Sequence, residues 1–224
     1  MSSPHARRGG PPLLAPALVW AVLTVLAAVL HPGTRPGADP TMTLALLHDH
    51  PVRAQLSALV LLASAAPLAV WVGAVHHRLH RLGLRVAGPT LGLSGGLLAV
   101  AMLALSGTAQ WAAVAAAVPG GEAAATGLNA LSFALGGPAF ALMAGLLLAG
   151  CSVPLLLAGL VPRGLAWAGL VLAAVAVVAL VGLVVPPLQY LLPVVRFGGL
   201  IWLVWVSAVL PVSRRRVAEP EAVA

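Results

Sequence analysis

Residues 165–185 read LAWAGLVLAAVAVVALVGLVV, a run of 21 residues without a single charge. An α-helix rises about 1.5 Å per residue, so roughly 20 apolar residues cross the hydrocarbon core of a bilayer, which is about 30 Å thick. Only helices and closed barrels satisfy every backbone polar group inside lipid, and a run of this length is typical of a helix. The stretch therefore predicts an all-α transmembrane fold.

The composition of the whole chain supports the same class. Of its 224 residues 61% are hydrophobic and 8% are charged, whereas a soluble domain carries about 25% charged residues. The mean hydropathy is +1.04 and the isoelectric point is near 11.7. A nucleic-acid-binding protein gathers its basic residues on one solvated face. Here they lie at the ends of apolar runs, so we expect a polytopic membrane bundle and no nucleic-acid partner.

Hydropathy and turn residues divide the chain into six predicted spans within one domain, 13–212, flanked by tails 1–12 and 213–224. A short interfacial helix near 41–48 is predicted between the first two spans, because Asp39-Pro40 is typical of a helix start. The spans are 13–30, 53–75, 86–107, 128–158, 165–185 and 194–211.

The arginines predict the orientation of these spans. Cytoplasmic loops of membrane proteins are enriched in basic residues. With six spans, nine arginines fall on one side, against Arg35 and Arg53 on the other, so both termini are predicted to be cytoplasmic and the protein to lie in the bacterial inner membrane. The nine predicted topology anchors are Arg7, Arg8, Arg78, Arg81, Arg85, Arg163, Arg214, Arg215 and Arg216.

The segment VHHRLHR, residues 75–81, combines three histidines with two arginines at the end of the second predicted span. Cations are favoured at a helix C-terminus and hold it on the cytoplasmic side. His76 and His80 have the i, i+4 spacing of a metal site, but the nearby arginines argue against one. We interpret the segment as a topology anchor, with contact to anionic lipid as a secondary role.

A second group of histidines lies on the predicted outer side. Imidazoles and carboxylates together are competent ligands for zinc or copper. Solvated loop residues are the simpler interpretation, and no cofactor is predicted. The candidate metal ligands are His31, His48, Asp49 and His50.

Arg196 is the most informative single residue, because a charge inside an apolar span is costly and marks a candidate functional site. It lies near the outer end of the sixth span, where it could snorkel to the interface or face a cavity in the outer leaflet. Such a pocket would suit an anion, a lipid headgroup or a carboxylate. Its other candidate residues are Gln110, Trp111, Glu122, Asn129, Gln189 and Tyr190.

Residues 133–173, FALGGPAFALMAGLLLAGCSVPLLLAGLVPRGLAWAGLVLA, and 184–211, VVPPLQYLLPVVRFGGLIWLVWVSAVLP, carry a family resemblance, as does HHRLHR at 76–81. The chain resembles bacterial, especially actinobacterial, six-helix membrane proteins classed as a domain of unknown function, the 4386 type. The resemblance implies a six-helix integral membrane protein and supplies no catalytic residues.

These observations leave three functions open. The first is a membrane protein that binds or moves a lipid or small anion near Arg196, with the lipid bilayer as its partner. The second is a non-catalytic subunit that associates with a membrane protein or with a second copy of this chain, suggested by its glycine-rich helices. The third is an enzyme or metal protein that uses the outer His/Asp group. No common catalytic motif occurs, which favours a protein that is not an enzyme.

Overall fold

The computed structural model describes residues 12–33 and 40–211. Every regular element in that part of the chain is a helix, and no strand occurs there. The predicted all-α fold is thereby confirmed. Eight α-helices follow one another: α1 Leu14–Leu30, α2 Pro40–Asp49, α3 Pro51–Arg81, α4 Ala87–Ala116, α5 Glu122–Ala134, α6 Phe140–Leu157, α7 Arg163–Leu180 and α8 Leu191–Val209.

Short turns of other helical types complete the chain. A π-helical turn, Leu135–Ala139, joins α5 to α6, so that Glu122–Leu157 is one continuous helix of 36 residues. Two 3₁₀ turns, Val181–Leu183 and Pro186–Tyr190, connect α7 to α8.

Five helices in the described part of the chain are long and apolar enough to cross a membrane. α1 has 17 residues, about 25 Å, and is apolar but shorter than these. The described helices thus agree with a bundle of about six spans. The five are Pro51–Arg81, Ala87–Ala116, Glu122–Leu157, Arg163–Leu183 and Pro186–Val209.

The second and third spans continue further as helices than 53–75 and 86–107. α3 includes the whole VHHRLHR segment, and α4 extends to Ala116. α2 occupies the place of the predicted helix at 41–48. The extension of α4 has a packing reason at the predicted outer end, where a small separate apolar cluster joins α2, α3, α4 and α5. Its members are Leu47, Ala54, Val114, Ala117 and Ala125.

Glycines set the distance between α4 and α6. A Cβ added to Gly150 would collide with the backbone of Gly92, and one added to Gly95 would lie 2.7 Å from the Leu147 nitrogen. Small residues at such spacing allow helices to approach closely. The glycines of α4 that suggested association with another protein are therefore used within this chain.

Two buried tryptophans form hydrogen bonds between α8 and its neighbouring helices. Trp71 of α3 donates its indole N–H to the Ser207 hydroxyl at 2.7 Å, and Trp202 donates to the Leu165 carbonyl at 2.8 Å. Buried indole N–H groups usually need such partners. These bonds tie α8 to α3 and α7 and position the residues on its inward face.

Candidate functional site

Arg196 lies on the second turn of α8 and reaches the π-helical turn between α5 and α6. Its Nη2 donates a hydrogen bond to the Gly136 carbonyl at 2.7 Å. Its guanidinium carbon stands 4.9 Å from the centre of the Phe140 ring, within cation–π range. The side chain is partly buried, so the arginine crosses between two spanning helices instead of extending freely into lipid.

The π-helical turn explains why Gly136 offers a carbonyl. Pro138 has no N–H and its ring disfavours regular α-helical bonding to the preceding turn. The N–H of Phe140 donates to the carbonyls of Leu135 and Gly137 instead of to Gly136. A glycine is also needed here, because a Cβ on Gly136 would collide with the Ser106 hydroxyl. The Gly136 carbonyl thus accepts a bond from outside its own helix.

His31 lies within electrostatic reach of two arginines, Arg196 and Arg53. Arg53 of α3 donates to the carbonyls of Val29, at 2.8 Å, and Leu30, at 3.1 Å, and so caps the C-terminus of α1. His31 follows directly, and its Nδ1 accepts a hydrogen bond from the Gly33 N–H at 3.1 Å. Burial lowers the pKa of His31, and the charges of Arg196 and Arg53 lower that pKa further. We call His31, Arg53 and Arg196 the basic trio.

No carboxylate within residues 12–33 and 40–211 forms an ion pair with Arg196. A guanidinium carries five N–H donors. Within the described chain Gly136 is the partner of its single hydrogen bond. Two members of the trio, Arg53 and Arg196, are permanently charged, and donors of Arg196 stay available, an arrangement that attracts an acceptor with negative charge.

A small cavity lies beside Arg196 in the middle of the bundle. It has about 10 Å³ for the centre of a water-sized molecule, which is room for about one water. Its surface is almost entirely apolar, formed by α1, α3, α6 and α8. Trp20, a second polar side chain of the lining, is buried, and its indole N–H has no partner within the described residues. The lining includes Trp20, Leu68, Phe140, Leu147, Val195 and Arg196.

Of the seven residues predicted for the pocket, Arg196 is the one that lines this cavity. Gln110 is buried against α3, where it donates to the Ser57 hydroxyl at 3.2 Å, and Ser57 in turn donates to the Ala27 carbonyl at 3.0 Å. Asn129 is half-buried on α5.

The remaining four pocket candidates have local or exposed positions. Gln189 donates to the Gly182 carbonyl at 3.1 Å. Glu122 is exposed and accepts a bond from the Gly120 N–H at 3.1 Å. Trp111 and Tyr190 are exposed by 58% and 81%. The structure thus gathers a different set around Arg196 from the one that we predicted.

The predicted metal ligands are divided between two places. His48 donates its Nε2 hydrogen to the Ala117 carbonyl at 2.7 Å, and Asp49 and His50 are exposed at the junction of α2 and α3. His31 belongs to the basic trio. No group of three or more His, Cys, Asp or Glu side chains suited to a metal occurs in the described part of the chain. The metal site stays a prediction from sequence.

The predicted topology anchors that are described share the opposite end of the bundle. Arg78 is buried, whereas Arg81, Arg85 and Arg163 are exposed. Arg7, Arg8, Arg214, Arg215 and Arg216 lie outside the described residues.

Sequence reasoning missed three contributors to the site, Arg53, Gly136 and Phe140. Gly136-Gly137-Pro138 inside an apolar run was the available signal, because helix-breaking residues within a helix are typical of a π-helical turn or a kink. No comparable signal links Arg53 to Arg196, since the two are 143 positions apart and both act on His31 only because α1 packs against α3 and against α8.

No protein-family model matches the chain, and no curated protein or solved structure matches it either.

Proposed function

We propose that this multi-pass membrane protein binds an anionic group, either a lipid headgroup or a small anion, at Arg196 in the outer leaflet of the bacterial inner membrane. One observation carries the proposal. The basic trio of His31, Arg53 and Arg196 meets no carboxylate in the described chain, and its central guanidinium uses one donor in a protein hydrogen bond. An anion would supply the missing charge and the missing acceptors.

A purely structural role for Arg196 would not explain why this position carries a charge. The bond to Gly136 needs one donor, and a neutral donor would make it without bringing a full charge into an apolar helix. Phe140 compensates part of the charge, since such contacts contribute about 0.5–2 kcal/mol. The remaining donors of Arg196 and the neighbouring cation Arg53 favour a bound anion.

The cavity limits where that anion would lie. Its lining is apolar and it holds about one water-sized molecule, so a phosphate or carboxylate group does not fit inside it. The group would instead be bound at the outer side of Arg196, close to Arg53 and His31. A lipid headgroup and a free anion offer the same chemistry there, and the experiment must separate them.

The test is native mass spectrometry of the protein extracted gently from its own membrane. Wild type is compared with Arg196→Ala and with Arg163→Ala, in which an exposed arginine at the opposite end of the bundle is removed. A lipid retained by wild type and Arg163→Ala but lost from Arg196→Ala would establish a lipid site. Where no lipid is retained, inorganic phosphate and chloride are titrated into the delipidated protein, and binding that needs Arg196 would establish an anion site. Equal binding by Arg196→Ala and wild type in both arms would refute the proposal.

The same spectra separate the other hypotheses. A stoichiometric protein partner present in all three forms, with no ligand, would make this chain a subunit of a complex. A metal ion retained through purification and lost in His48→Ala would support a metal protein or enzyme at the outer His/Asp group. Membership of the 4386-type family of six-helix membrane proteins stays part of the proposal, because it rests on the resemblance in residues 133–173 and 184–211.

A further inference from the structure

His76, near the end of α3, is held by a hydrogen bond to a neighbouring helix. Its Nδ1 lies 3.0 Å from the Pro89 carbonyl oxygen in the first turn of α4. A carbonyl oxygen can only accept, so Nδ1 carries the hydrogen, and in the neutral imidazole Nε2 then holds the lone pair that a metal ion needs. Metal-binding histidines usually have this arrangement, in which the second ring nitrogen donates to a carbonyl or carboxylate and fixes the ring.

His80 follows one helical turn later. The centres of the two imidazole rings are 4.4 Å apart, and the ring planes meet at 69°. His76 is half-buried and His80 is exposed, so solvent reaches the pair. Two histidines at i, i+4 on one helical face are a recurrent arrangement for binding a single metal ion. The spacing in the sequence is here accompanied by rings that are actually adjacent.

The neighbouring arginines lie on other faces of α3 than the two histidines. Successive residues are rotated by about 100°, so His76 and His80 differ by about 40°. By the same arithmetic Arg78 lies about 180° from the middle of the pair and Arg81 about 120° from it. Arg78 is 6% exposed while His80 is exposed, which agrees with opposite faces. In the sequence, the nearby arginines argue against a metal site at His76 and His80. In the helix the arginines face away from the pair, so this argument is weaker.

We propose that His76 and His80 form a binding site for one divalent transition-metal ion at the end of α3, independent of the anion site near Arg196. Imidazole nitrogen suits Cu²⁺, Zn²⁺ and Ni²⁺, and Cu²⁺ binds such sites most strongly among these ions. Two protein ligands leave the other positions of the ion to water or small ligands. Such a site exchanges its metal readily, which suits transient binding of an ion more than a permanent structural role.

The test uses Cu²⁺ with the full-length chain, free of any polyhistidine tag and reconstituted in lipid nanodiscs. His80→Ala is the main variant, because His80 is exposed and its loss leaves the His76–Pro89 bond in place. His77→Ala is the matched control, since His77 is an exposed histidine of the same helix that lies outside the ring pair. Electron paramagnetic resonance counts the nitrogens bound to Cu²⁺, and a parallel titration measures affinity.

Wild type and His77→Ala should each give a Cu²⁺ signal with two imidazole nitrogens. In His80→Ala the two-nitrogen signal should disappear and affinity should fall at least about tenfold, since even removing a group that only orients a ligand costs 10- to 100-fold. Copper held by histidines elsewhere in the chain would be unaffected by this change. An unchanged spectrum in His80→Ala, or the absence of a two-nitrogen signal in wild type, would overturn the proposal.

Discussion

Arg196 of α8 and Gly136 of the π-helical turn are joined by a hydrogen bond of 2.7 Å between two membrane-spanning helices. The N–H of Phe140 donates to Leu135 and Gly137, so the Gly136 carbonyl accepts a hydrogen bond from outside its own helix. A residue that was notable in the sequence for its charge is therefore also a link between elements that are 60 residues apart.

Replacing Arg196 with leucine should destabilise the fold by about 1–3 kcal/mol, because the Gly136 carbonyl would lose its partner in an apolar environment. Leucine also removes the cost of a charge in an apolar helix, which offsets part of this loss. Unfolding by SDS titration in mixed micelles measures the difference. Arg163→Leu, at an exposed position, should change stability by less than about 0.5 kcal/mol. An Arg196→Leu protein as stable as wild type would contradict this account of the bond.

Gly150→Ala should destabilise the bundle by about 1–3 kcal/mol or more. The added methyl would collide with the backbone of Gly92, and backbone atoms cannot rotate away as a side chain can. Gly127→Ala is the matched control in α5, where nothing lies within 4 Å of the added Cβ. There alanine should stabilise by up to about 1 kcal/mol, because it favours the helix more than glycine does. The two substitutions should thus have opposite signs in the same unfolding assay.

Ser106 of α4 and Ser132 of α5 should show measurable coupling. Each hydroxyl donates to the other's backbone carbonyl, at 2.8 and 2.9 Å, and both side chains are buried. Hydrogen bonds between membrane helices contribute about 0.6 kcal/mol on average and up to about 1.7 kcal/mol. The two hydroxyl oxygens also lie 3.2 Å apart, and a double-mutant cycle of Ser106→Ala and Ser132→Ala, which reports this side-chain contact, should give a coupling energy of at most this size. Strictly additive effects would mean that the pair does not act together.

His31 should titrate below its ordinary pKa of 6.5, because burial and the charges of Arg196 and Arg53 disfavour the imidazolium. The unfolded chain would then bind a proton at higher pH than the folded one. The contribution of neutral His31 to stability is therefore complete above pH 6.5 and is lost as pH falls below it. Protonation of Nδ1 would also break the bond from Gly33.

Arg196→Ala provides the direct test of this electrostatic relationship. Removal of the arginine should raise the pKa of His31 only part of the way, since burial is the larger cause. NMR titration of histidines labelled with ¹³C in the imidazole ring measures both values. A pKa of His31 identical in the two proteins would show that Arg196 does not act on this ring.

The sequence predicted the helices well because the bilayer imposes a local requirement. Each span needs about 20 apolar residues, and each turn needs a breaker or a polar residue, so a run such as 165–185 can be recognised without knowing its neighbours. The lengths of α3 and α4 were less predictable. The added turns of α4 pack in one apolar cluster with α2, through residues distant in the sequence such as Leu47 and Val114.

Arg196 shows which part of the site could be predicted from the sequence. Its cost inside an apolar span was evident, and it is the predicted pocket residue that lines the central cavity. Gln110 was predicted for the same pocket, but the rotation of α4 directs it to Ser57 of α3. Arg53 was counted only as an outer charge, yet it caps α1 and contributes to the basic trio.

Sequence by itself thus determined the class of protein, the number of apolar segments and the residue whose charge requires an explanation. Tertiary structure alone decided which groups surround that charge. The reason is physical: hydropathy depends on consecutive residues, whereas convergence depends on the rotation and separation of helices. Those are set by contacts such as Gly92 against Gly150 and Trp71 to Ser207, between residues that no local pattern connects.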